Sequence, residues 1–155
     1  MKLESRLRAI AASVLEGQLR AFGCACCRRL LPFFDVPILQ EVIVFGESRS
    51  AGKFDVNDLI EIRDKSDIVY RSLYPGYDDP SADTLALCAA GEVAFTDSSL
   101  SAAINASEFA ARALAKLPAN LVPDEDYDTV YEPEFAKESA NQLELLKQLI
   151  PAAAD

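Results

Sequence analysis

A chain of 155 residues, half of them apolar and 26% charged, is about one domain and long enough to bury a real core. Its formal net charge of −10 and pI near 4.5 argue against nucleic acid and against anionic membrane surfaces, since binders of either need Lys and Arg to replace counterions. The Met-Lys-Leu-Glu start leads into no uninterrupted apolar run, and apolar stretches such as 42–45 are far too short to span a bilayer. No secretory signal and no membrane span are expected, and the chain reads as cytoplasmic.

Helical periodicity dominates, and no run of alternating or β-branched residues reads as a strand. Residues 2–14, rich in Ala, Leu and Arg, open the chain as a first helix. Over 15–33, Leu15, Leu19, Phe22, Cys26, Leu30 and Phe33 recur at steps of three and four, which places them on one face, with Pro32 at the fraying end. Asp35 is the expected N-cap of a third helix with Pro37 in its first turn, Ile38, Val42 and Phe45 inward, and Gly52 as its stop. Asp55 caps a fourth helix with Asp58 three residues on, burying Val56, Leu59, Ile60, Val69 and Leu73. The stretch Tyr74-Pro75-Gly76-Tyr77-Asp78-Asp79-Pro80 is a turn.

A fifth helix follows over about 81–95, burying Leu85, Cys88 and Val93. Asp97 or Ser98 caps a sixth, striped by Leu100, Ile104, Ser107, Ala111, Leu114 and Leu117; its Ala102, Ala103, Ala106, Ala110 and Ala113 allow close approach of neighbours. Pro118 should end it. A loop over 118–132 precedes a last helix at about 133–150 that buries Phe135, Leu143, Leu146 and Ile150, and residues 151–155 should fray. The expected fold is all-α: one domain, about seven helices, in an antiparallel bundle or a short stack of helical hairpins.

Charge is unevenly placed. Residues 1–34 carry six basic side chains (Lys2, Arg6, Arg8, Arg20, Arg28, Arg29) against Glu4 and Glu16, which leaves −14 on the remainder. The segment 118–134 holds Asp124, Glu125, Asp126, Asp128, Glu132 and Glu134 and no basic residue.

The cysteines offer the sharpest chemistry. Cys24, Cys26 and Cys27 contain a C-x-x-C spacing that can bind zinc, with Cys88 remote. On a helix, however, Cys26 points about 100° away from its neighbours, so a tetrahedral site would have to unwind it, and no histidine can substitute. Packing as small hydrophobes is the expected role, ahead of metal or redox chemistry. Arg28 and Arg29 suit a helix C-terminus or a carboxylate on a neighbouring helix.

The absence of histidine removes the commonest general base. Asp124-Glu-Asp126-Tyr-Asp128 begins like a calcium loop, yet Thr129 stands where the glycine belongs and Phe135 where the bidentate glutamate belongs. All six glycines are isolated, so no phosphate-cradling loop exists. Neither catalysis nor a cofactor nor a metal is expected.

What remains is acid interleaved with tyrosine. Tyr74, Tyr77, Asp78 and Asp79 sit in one turn, and Asp124, Glu125, Asp126, Tyr127, Asp128, Tyr131 and Glu132 lie together further on. Aromatic side chains are enriched at protein interfaces, and carboxylates beside them would meet Lys and Arg. These eleven residues are the candidate partner-binding surface.

At Arg20-Ala-Phe-Gly-Cys-Ala-Cys-Cys-Arg-Arg29 the chain resembles helical bacterial proteins that share a Phe-Ala-Cys-Ala-Cys-Cys-Arg-Arg helix, with Gly23 in place of the usual alanine. It is also similar to helical immunity proteins of bacterial polymorphic toxin systems, which carry a comparable Cys- and Arg-containing helix early in the chain. The resemblance implies a helical fold and, as function, neutralisation of a cognate toxin. For an acidic chain that toxin would be basic and nuclease-like. It carries over no catalytic residue. The alternative expectation is a helical scaffold or regulatory interaction domain with no toxin partner.

Overall fold

The computed structural model describes residues 2–74, 76 and 79–154. Among them are seven α-helices and no strand: α1 (Leu3–Ile10), α2 (Glu16–Arg28), α3 (Leu39–Ser50), α4 (Val56–Leu73), α5 (Ala82–Phe95), α6 (Ser99–Ala119) and α7 (Tyr127–Leu149). The links between α3 and α4, α5 and α6, and α6 and α7 are short, so each pair forms an antiparallel hairpin. Helix α6 packs on α5, α2 and α7; α3 lies across α2 and α5, and α1 and α4 cover the periphery.

Small residues allow this crowding. Ala102, Ala103, Ala106, Ala110 and Ala113 of α6 are all fully buried. Val93 of α5 is pinched between two glycines. A Cβ on Gly23 of α2 would lie 2.8 Å from its Cγ1, and one on Gly46 of α3 would lie 2.7 Å from its Cγ2. Gly23, where the resembling helix has alanine, is therefore a requirement of this packing.

Local signals set several boundaries. The Asp55 carboxylate accepts from the Asn57 and Asp58 N–H groups and caps α4, and the Ser98 hydroxyl caps α6. Gly52, at φ 71, ends α3 in a Schellman motif: its N–H reaches Arg49 O at 3.0 Å and the Lys53 N–H reaches Ser48 O at 2.8 Å.

Other boundaries differ from expectation. Helix α2 stops at Arg28, so the expected stripe loses both ends, with Leu15 and Phe33 exposed. Asp35 does not cap α3. Instead Pro37 and Ile38 are the central residues of a turn closed by Leu39 N–H to Val36 O at 3.2 Å. Ile38 sits at φ 68, the left-handed position that a type II turn requires. The turn buries both Val36 and Leu39 around a proline, at a cost of about 1–2 kcal/mol for a β-branched residue in that conformation.

In α4 the inward line is Leu59, Ile62, Ser66, Val69 and Leu73, whereas Val56 and Ile60 face solvent. Pro118 falls inside the last turn of α6, and α7 begins at Tyr127, six residues before the expected start. The long loop thus shrinks to a short link and a 3-10 turn, Asp124–Asp126. The chain end also packs: Pro151–Ala153 form a 3-10 turn against α1, with Ala153 buried.

Candidate functional site

Two of the three sequence segments of interest prove structural. Cys24, Cys26 and Cys27 are all buried, because α2 is covered on most of its circumference. Burial pushes the Cys24 thiol up to about 12, with Glu47 adding to the effect, and holds Cys26 and Cys27 well above the usual thiol range. None of the four cysteines is in a disulfide, and no group of three or more His, Cys, Asp or Glu side chains among the described residues could hold a metal.

The basic N-terminal region braces the fold. Arg28 grips Glu47 of α3 through two hydrogen bonds of 2.6 Å, and Arg29 grips Glu138 of α7 through bonds of 2.6 and 2.9 Å. Buried Arg20 donates to the carbonyls of Val93 (2.8 Å), Thr96 (2.8 Å) and Asp97 (2.9 Å). Arg49 donates to Ala94 O at 3.0 Å and to the Asp97 carboxylate at 2.8 Å. Two arginines thus close the C-terminus of α5, where the free carbonyls favour cations.

The acid and tyrosine segments come together on α6. Lys116, nearly buried, donates to the exposed Asp79 carboxylate and to Pro80 O at 2.6 Å, which ties the segment after α4 to α6. One helical turn earlier on α6, Arg112 lies beside Tyr131, and its charge works against the rise of that phenol's pKa. The Asp79 charge is close enough to oppose ionisation of both Tyr127 and Tyr131; burial is the larger cause and raises both phenols. Both are therefore neutral donors at neutral pH.

Along α7 the aromatic rings form a ladder at i, i+4, i+8. Tyr127 and Tyr131 stack at 5.6 Å between centroids, and Tyr131 and Phe135 at 6.1 Å. Tyr74 closes α4 and packs edge-on to Tyr70 at 5.8 Å. Tyr77 and Asp78 lie outside the described residues.

The remaining carboxylates sit at the head of α7. Asp124, Glu125 and Asp126 form its 3-10 lead-in and Asp128 lies in its first turn; with Glu132 they are exposed and in no ion pair among the described residues. The helix N-terminus gives the leading acids a local reason, about 0.3–1 kcal/mol each. Arg112 and Lys116 were not singled out from the sequence, although their four-residue spacing on α6 matches the Tyr127–Tyr131 spacing on α7.

No helix among the described residues is long and apolar enough to cross a membrane. No protein-family model, curated protein or solved structure matches the chain, so the resemblance at residues 20–29 stands on that motif alone.

Proposed function

We propose that the chain is an immunity-type inhibitor that binds and neutralises a bacterial toxin. Its contact face would comprise Asp79, Tyr127, Tyr131 and Glu132 with the acidic head of α7, laid over a basic cleft such as that of a nuclease. The observation that carries this reading is the convergence of two sequence-distant segments on α6. Lys116 beneath is engaged by Asp79 and Arg112 lies beside Tyr131, while Asp124, Glu125, Asp126 and Asp128 are exposed and in no ion pair among the described residues. An acidic, aromatic-bearing face of this kind complements a basic cleft and speeds encounter with it. Binding of this sort needs no cofactor.

The second reading is a helical scaffold or regulatory interaction domain without a toxin. It is favoured by the helix-terminal position of the leading acids, which explains them without any partner.

Co-expression with the toxin-like C-terminal domain of a secreted protein encoded beside this gene separates the two. The inhibitor reading expects growth to be rescued, and rescue to be lost when Asp124, Glu125, Asp126 and Asp128 are all changed to Ala. Rescue that survives the fourfold change sinks the assigned face. Absence of both rescue and a toxin-like neighbour sinks the toxin.

A further inference from the structure

We propose that the outer seam of the α3–α4 hairpin is a docking groove for a short amphipathic helix of a partner protein, apolar on one face and flanked by Lys or Arg. The seam is built from other elements than the acidic face of α6 and α7, so the inference does not rest on the function proposed above. Its volume is about 590 Å³.

Both walls are helical stripes. On α3, Glu41, Val44, Phe45 and Ser48 follow one another along one side; on α4, Asp58, Glu61, Ile62 and Lys65 do the same. Each stripe covers eight residues, and its seven rises make about 10 Å, the length of two helical turns. The floor is apolar, made by Ile38, Phe45 and Ile62, and Val44 stays 44% exposed inside it.

The rim selects the occupant. Glu41, Asp58 and Glu61 face a single lining cation, Lys65, which bonds Glu61 at 3.0 Å and leaves Glu41 and Asp58 without an ion-pair partner among the described residues. The larger groove between α1, α6 and α7, about 620 Å³, has a smaller imbalance, because its Glu4 is bonded to Arg8 and Lys2 in its lining offsets Glu108. A second copy is the wrong occupant. A two-fold contact through this seam would set the three carboxylates against their own images. A cationic helix, with apolar residues at i, i+3, i+4 and i+7, satisfies both floor and rim.

Part of that floor is the strained residue. Ile38 holds its left-handed backbone where Gly or Asn is usual, and that conformation presents its side chain to the groove. Asn tolerates the same backbone, so Ile38→Asn removes apolar floor while keeping the turn.

The test uses the full chain and three fluorescein-labelled twelve-residue peptides, read by anisotropy. One carries Leu at the four apolar positions and Lys elsewhere, one replaces Lys with Glu, and one replaces Leu with Ser. The Leu–Lys peptide alone should bind. Its affinity should fall at least tenfold in the double variant Glu41→Lys, Val44→Lys, and should also fall in Ile38→Asn, whose helicity by circular dichroism checks the fold. Changing Asp124, Glu125 and Asp126 to Ala should leave it unaltered.

Equal binding of the Ser–Lys peptide would reduce the effect to general attraction by an acidic protein and overturn the proposal. Binding indifferent to both groove variants, or no binding, would do the same. A concentration-dependent dimer abolished by Val44→Lys would assign the groove to a second copy instead.

Discussion

Raising the pH above the thiol range should unfold this protein earlier than its helix content suggests. Cys24, Cys26 and Cys27 are held neutral in the fold by burial, whereas in the unfolded chain a thiol ionises near 8.5. Each folded pKa lies above its unfolded value, and it is the charged form that burial disfavours. The unfolded chain therefore releases protons first as pH rises. Stability is complete below about pH 8.5 and falls above it, until the folded thiols also ionise, near 12 for Cys24. At pH 10 the loss is about 2 kcal/mol per thiol, or about 6 kcal/mol for the three. That is a large part of the roughly 5–15 kcal/mol that a domain usually has. Urea unfolding followed by far-ultraviolet circular dichroism from pH 8 to 10.5, with a reductant present, measures it directly. These three thiols should give a slope of about 4 kcal/mol per pH unit, to which Cys88, also raised by burial, adds; changing the three to Ala should remove most of it. A flat profile in the parent protein, or an equal slope in the triple variant, would refute the reasoning.

Glycine positions provide a steric test. Gly17→Ala would place its Cβ 2.5 Å from the Ser50 carbonyl oxygen, a backbone atom, and should cost roughly 1–3 kcal/mol in thermal or urea unfolding. Gly46→Ala should cost a similar amount, but Val93→Ala in the same chain should recover part of it, because Val93 is the clashing partner. The two arginine clamps should differ in unfolding assays. Arg28→Ala breaks an exposed pair and should cost about 1 kcal/mol or less. Arg29→Ala strands Glu138, whose side chain is only 8% exposed, and should cost about 1–3 kcal/mol. Arg20→Ala removes the donor shared by three carbonyls at the end of α5 and should cost about 3 kcal/mol, measured the same way.

Where the signal was local, the sequence was readable. Asp55, Ser98 and Gly52 act through hydrogen bonds within a few residues of themselves, so their side-chain types are sufficient to place helix ends. The small-residue face of α6 was readable for the same reason. Ile38 was not, since nothing in an isoleucine announces a left-handed backbone; burial of Val36 and Leu39 on either side imposes it. Pro133 misled in the opposite direction. Read alone it starts a helix, yet α7 runs through it, with the proline on the solvent side and the Tyr127–Tyr131–Phe135 ladder packed across the same turns. Half of the candidate site was visible as composition. That the Asp79 charge lies near Tyr127 and Tyr131 follows from its bond to Lys116, and such long-range pairing leaves no local trace.

The charge asymmetry along the chain takes a different meaning once partners are assigned. Of the six cations in residues 1–34, Arg8, Arg20, Arg28 and Arg29 have internal partners, as do Arg49, Lys65, Lys116 and Lys147 later on. The basic N-terminal region is therefore largely a set of internal partners. Four of its six charges are matched by carboxylates or carbonyls of the fold, and the outward surplus is acid, from the head of α7 and from the α3–α4 rim. Fields from exposed charges act over about 8–10 Å at physiological salt and are largely screened at 1 M. Association with a basic partner at either surface should thus slow as salt rises, while dissociation, governed by close contacts, changes less. Stopped-flow association rates at 50 and 500 mM salt test this. Equal rates at both concentrations would mean that the outward acid plays no part in recognition and serves solubility alone.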